Sequence, residues 1–66
     1  MTVGERLRAL RIQRGLTQQE LAAQLKIDRS TLCKYETGYS EPKLDILRKV
    51  SKLFGVDYNY LLEDDV

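Results

Sequence analysis

Residues 18–38 read QQELAAQLKIDRSTLCKYETG, with Leu16 and Thr17 leading into them, and the fold turns on this stretch. Its spacing predicts two short helices joined by a tight turn. Thr17 fits the N-cap of the first helix. Glu20, three residues on, completes a capping box in which each side chain satisfies the other residue's backbone amide. Leu16 before the cap and Leu21 beyond it match a hydrophobic staple. Leu21, Ala22 and Leu25 then fall on one buried face, and the small Ala22 lets a second helix backbone cross closely. Ile27 would enter the core from the turn, and Asp28 is expected to cap the second helix. Leu32 and Tyr35 supply the inward side of that helix, and Gly38 its left-handed stop. Arg29, Ser30, Cys33 and Lys34 are left together on the opposite face. Polar side chains outside and apolar anchors inside are what a helix needs to read base edges in a DNA groove.

Upstream, Val3, Leu7 and Leu10 form an apolar stripe at helical spacing, with Arg6, Arg8 and Arg14 off it. This helix is expected over about residues 3–14, with Gly15 and then Leu16 closing a Schellman motif. Arg11 borders the inward face. It reads either as a surface arginine with a buried stem or as an ion-pair partner of Glu36. Downstream, residues 39–43 are turn-rich, and Pro42 suits the entry to a fourth helix. That helix places Leu44, Leu47, Val50, Ser51 and Phe54 on one face and Ile46 and Leu53 on a second side. An arc this wide implies a central helix or one shared with a partner. Gly55 stops it, Val56 follows, and Asp57 can cap a short fifth helix from Tyr58 to about Leu62. Glu63 to Val66 read as a solvated acidic end. No segment alternates with the period of a strand, so the fold class is all-α with five helices.

Sixty-six residues form one domain, with the core at about 3–62. The 11 basic and 10 acidic side chains nearly cancel, but residues 1–34 carry net +4 and residues 35–66 net −3. A basic front of this kind suits an anionic partner met from one side. A single cysteine excludes an internal disulfide, and without histidine there is no ordinary zinc ligand set. No nucleophile–base pair, glycine-rich phosphate loop or cofactor fingerprint occurs. No catalytic residue, metal, cofactor or small-molecule ligand is therefore expected, and the chain does not read as an enzyme. The absence of a long apolar run or signal-peptide core leads to the expectation of a soluble, cytoplasmic protein with no membrane partner.

The segments GERLRALRIQRGLTQQELA and LxIDRSTLCKYETG, with the tail P-x-L-x-x-L-x-K-V-S-K-x-F-G-V-D-x-x-x-LL, resemble the Cro/CI-type, lambda-repressor-like helix-turn-helix DNA-binding domains. The resemblance covers about residues 3–62. It implies a compact five-helix bundle in which helix 3 enters the major groove. It places Arg29 and Ser30 at the first base-reading positions and Lys34 one turn on, with Cys33 beside it. Lys34 is open to either a base or a phosphate contact. Gln18 would hold a DNA phosphate and brace the first recognition residue. Thr31, Tyr39, Ser40 and Lys43 lie where relatives touch the sugar-phosphate backbone. Arg11 and Glu36 match a structural ion pair between helix 1 and the recognition helix. Two departures stand out. Lys26 replaces the glycine often found at the left-handed turn position, at a cost of order 1 kcal/mol. Asp28 stands at a cap where serine or threonine is favoured, so a carboxylate would face phosphate.

The implied function is a sequence-specific regulator of transcription, most simply a repressor, that binds double-stranded DNA. A homodimer through helices 4 and 5, with Ile46, Leu53, Tyr58 and Tyr60 as candidate contacts, would read an inverted repeat. The alternative is an adaptor or antitoxin-type module that uses the same fold to hold a partner protein. Cys33 has no second thiol to resolve it and reads as a contact residue rather than a redox switch.

Overall fold

Five helices follow one another in a computed structural model that describes residues 2–62: α1 (Val3–Gln13), α2 (Gln18–Leu25), α3 (Arg29–Thr37), α4 (Leu44–Phe54) and α5 (Tyr58–Leu62). No strand occurs among the described residues, and none of the helices is long and apolar enough to cross a membrane. The acidic end expected at Glu63–Val66 lies outside the described residues.

Local chemistry sets each boundary. The capping box predicted at α2 is present: Glu20 N–H donates to Thr17 Oγ1 (3.0 Å) and Thr17 N–H to Glu20 Oε1 (2.8 Å). A second box opens α1, where Thr2 and Glu5 exchange the same bonds. Its signal, Thr and Glu three residues apart, stands in the sequence as plainly as the first. α1 ends in the expected Schellman motif, with Gly15 N–H on Ile12 O (3.0 Å) and Leu16 N–H on Arg11 O (3.1 Å). α2 ends in the same motif without glycine. Lys26 adopts φ 60 and ψ 43, and Ile27 N–H reaches Ala22 O. Asp57 Oδ1 accepts from Asn59 N–H at the start of α5.

The core gathers Leu7 and Leu10 from α1, Leu21, Ala22 and Leu25 from α2, and Leu32 and Tyr35 from α3. Ile46, Leu47, Val50 and Phe54 of α4 and Leu61 of α5 complete it. Each fully buried leucine contributes about 2 kcal/mol relative to an exposed one. Polar contacts tie the remaining ends together. Arg14 donates to Phe54 O (2.8 Å) and stacks over the Phe54 ring, while Lys49 Nζ covers Leu25 O (3.2 Å).

Three expectations about faces are corrected. Arg6 is buried, with its guanidinium 4.8 Å from the centroid of the Tyr60 ring. It lies three residues after Val3 and four before Leu10, on the inward face, where the aromatic ring accommodates its charge. On α4 the core takes a stripe centred on Val50 that includes Ile46, which is only 5% exposed. Ile46 is therefore spent within the subunit and does not offer a surface to a second copy. Leu44, expected inside, is 51% exposed, because it shares the far margin of the stripe with Ser51, seven residues on.

Candidate nucleic-acid interface

α3 presents two unlike faces. Leu32 and Tyr35 are buried against the core, whereas Arg29, Ser30, Cys33 and Lys34 are all exposed. The side chains of Arg29, Ser30 and Cys33 form no hydrogen bond or ion pair among the described residues, so their polar groups remain available. Thr31 is half-buried at the margin.

The inner face is held by a polar clamp. The Glu36 side chain is 1% exposed, and its carboxylate accepts from Arg11 Nε (2.7 Å) and Nη2 (3.1 Å). Arg11 Nη1 continues to Leu16 O (2.9 Å), so one guanidinium joins α1, the loop into α2 and α3. Of the two sequence readings of Arg11, the ion pair is the one formed. Removing one partner of such a buried pair costs about 3–5 kcal/mol, because the other charge is left uncompensated. No buried side-chain nitrogen or oxygen among the described residues lacks a partner.

Gln18 joins this clamp. Its Nε2 donates to Glu36 Oε1 at 3.1 Å, so the amide braces the Glu36 carboxylate rather than Arg29. Gln18 is half-buried at the first position of α2. Glycine supplies a further anchor that sequence reading did not single out. Gly4 packs so closely that a Cβ there would overlap the carbonyl oxygen of Tyr35. Only an alignment of α1 against α3 reveals this, since Gly4 occupies ordinary helical backbone.

The ends of α3 differ. Asp28 has extended cap backbone, but its side chain makes no capping hydrogen bond, contrary to expectation. Its backbone alone opens the helix, with Leu32 N–H on Asp28 O (3.1 Å), and its side chain is exposed. First-turn amides of α3 thus receive no side-chain cap from Asp28 and keep their capacity for an incoming acceptor. At the other end, Gly38 turns left-handed (φ 82), and Thr37 Oγ1 covers Cys33 O (2.9 Å) and Lys34 O (3.3 Å). The chain then doubles back, so Ser40 N–H also reaches Lys34 O (3.2 Å). Tyr39 and Lys43 are exposed beside this turn, and Ser40 is half-buried. Of the dimer candidates other than Ile46, Leu53 and Tyr60 keep partial exposure. Tyr58 is half-buried and borders a cavity of about 440 Å³ with Leu44, Arg48 and Lys52.

Known proteins resemble this chain in sequence and fold. The sequence profile of the family described as Helix-turn-helix matches residues 7–61. The HTH-type transcriptional regulator ImmR of Bacillus subtilis (strain 168) is 42% identical over 65 residues, covering 98% of this chain and 51% of ImmR. The chain thus spans about half the length of that relative. Among solved structures, the P22 c2 repressor protein in complex with synthetic operator 9T superposes with a TM-score of 0.89 at 28% identity, covering 98% of both chains. The N-terminal DNA binding domain of SinR from Bacillus subtilis gives a TM-score of 0.84 at 28% identity, covering 96% of this chain and 93% of that one. By its matched profile, its relatives and the arrangement of its five helices, this chain belongs to the Cro/CI-type helix-turn-helix family.

Proposed function

We propose that this chain binds double-stranded DNA sequence-specifically and represses transcription by occupying its site. The observation that carries the reading is the division of α3. Arg29, Ser30, Cys33 and Lys34 face outward, while Glu36 is locked beneath them by Arg11 and Gln18. A reading helix must hold its side chains in fixed register against base edges, and a clamp beneath it supplies that rigidity. The P22 c2 repressor, whose fold this chain shares end to end, is bound to an operator, which supports the same use of α3 here.

In this reading Arg29 forms a bidentate contact with guanine, the arrangement its planar fork suits best. Ser30 and Cys33 make shorter-range contacts to base edges. Gln18, Thr31, Ser40 and Lys43 meet the sugar-phosphate backbone around them and set the register. Gln18 retains a second amide hydrogen and its carbonyl oxygen beyond the bond to Glu36.

The reading includes a homodimer on an inverted repeat, with half-sites about 34 Å apart. Exposed Leu44 and half-buried Tyr58 lie together at the outer margin of α4 and α5 and offer an apolar patch for a two-fold contact. Selection of preferred sites from a random duplex pool tests both parts. A symmetric consensus with two half-sites is expected, together with a dimer by sedimentation on the selected duplex. Salt-insensitive binding, or none to any duplex, would instead favour the protein-holding adaptor.

A further inference from the structure

Lys34 is open to a base or a phosphate contact by its position on α3, and the structure pairs it with a neighbour that changes its reach. Its ammonium nitrogen lies 5.8 Å from the centroid of the Tyr39 ring, within the distance at which a cation is attracted to an aromatic face. Tyr39 is 80% exposed, so its ring contributes little to the core. Its position beside Lys34 nonetheless follows from a defined backbone. Gly38 reverses the chain in left-handed conformation, and Ser40 N–H bonds back to the carbonyl of Lys34 itself. Thr37 Oγ1 grips that same carbonyl. The backbone that carries the pair is therefore anchored, and the ring lies within reach of the ammonium beside the last turn of α3.

From these observations we infer that Tyr39 is a positioning residue that turns Lys34 into a phosphate clamp. The base reading is then left to Arg29, Ser30 and Cys33. The ring draws the ammonium toward the C-terminal end of α3, where the negative end of the helix dipole also favours a cation. Ser40, whose N–H bonds to the Lys34 carbonyl, and Lys43 three residues on follow this turn in the chain. An ammonium is a compact point charge on a flexible stem, so it reads bases only if that stem is directed at them. Tethered to the loop, it meets phosphate instead. The inference rests on the DNA-binding reading above but divides the labour of α3 differently from the resemblance, which left Lys34 open to either contact.

Two measurements test it. In the free protein, Tyr39 should shift the Lys34 ε-methylene protons upfield by its ring current. Tyr39→Leu should abolish the shift and Tyr39→Phe retain it. Unshifted protons in the wild type would overturn the pairing without any DNA present.

The second measurement is fluorescence anisotropy with the selected operator, its single-base variants and a random duplex, over a range of salt. Lys34→Ala should weaken every duplex alike, by roughly tenfold, and flatten the logarithmic salt slope by about one. Tyr39→Leu should reproduce most of that loss, Tyr39→Phe should not, and the double substitution should be no worse than Lys34→Ala alone. Three outcomes overturn the proposal: a changed preference at one base pair in Lys34→Ala, additive losses in the double substitution, or a Tyr39→Phe loss equal to that of Tyr39→Leu. The last would mean that the phenol hydroxyl contacts DNA directly. Failure of the DNA-binding reading would show differently. The wild type would then bind no duplex while the ring-current shift persisted, leaving the clamp without a partner and the proposal refuted.

Discussion

Lys26 carries a full side chain where the backbone turns left-handed, with φ 60. The turn between α2 and α3 forms regardless, because Ile27 is drawn into contact with the core and its amide closes onto Ala22 O. The strain is local, and glycine at this position would relieve it at the cost of a looser unfolded chain. Lys26→Gly should therefore stabilise the domain by about 0.5–1 kcal/mol, raising the thermal midpoint by a few degrees in a chain this size. A lower midpoint would mean that the lysine gains more from its surroundings than its backbone loses. Glu20 is the residue at which acid should be felt. Hydrogen bonds from the Thr17 backbone, and then from its side chain, hold the Glu20 carboxyl below its ordinary pKa. A depressed folded-state pKa means that the cap contributes fully above the unfolded value. That contribution is lost as pH falls through the folded value. Glu20→Gln keeps an acceptor but no titrating charge, so its thermal midpoint should fall less than that of the wild type between neutral and acidic pH. Parallel curves would remove Glu20 from the acid response.

Among the elements, α1 is the strut that fixes α3. It meets α3 at Gly4, whose bare Cα admits the Tyr35 carbonyl, and at Arg11, whose guanidinium grips Glu36. Gly4→Ala should force the two helices apart, costing about 1–3 kcal/mol of stability. It should also weaken operator binding under conditions where circular dichroism shows the protein folded. Full operator affinity in a folded Gly4→Ala protein would show that the register of α3 does not depend on this contact. These elements also show what the sequence made legible. Caps and stops write themselves in two to four neighbouring residues, so the Thr17–Glu20 box, the turns at Gly15, Gly38 and Gly55, and all five helices could be read directly. Faces are harder. Ile46 and Leu44 are both apolar and both near an edge of the α4 stripe, and only the packing of the neighbouring helices decides which one is covered. Arg6 was misplaced because its charge concealed an inward position that the Tyr60 ring makes tolerable. Gly4 went unnoticed because its neighbour lies some thirty positions away in the chain.

For the whole molecule, the site is a surface rather than a pocket: an exposed polar face on a helix whose other face is tied to the rest of the bundle. The pattern Arg29, Ser30, Cys33, Lys34 was readable as one face, and the structure leaves all four exposed. The roles within it were not readable, because the tether from Tyr39 and the engagement of Gln18 by Glu36 depend on where side chains meet in space. The central claim is that Arg29, Ser30 and Cys33 on this face recognise bases, while Lys34 and the residues around them hold the backbone. The most direct test compares wild-type and Arg29→Ala protein on the selected operator, on a panel with each base pair changed in turn, and on random duplex at one salt concentration. The account predicts that Arg29→Ala loses about 1–3 kcal/mol on the operator, becomes indifferent to one base pair, and binds random duplex nearly as the wild type does. An equal loss on every duplex, with the base preferences intact, would contradict it.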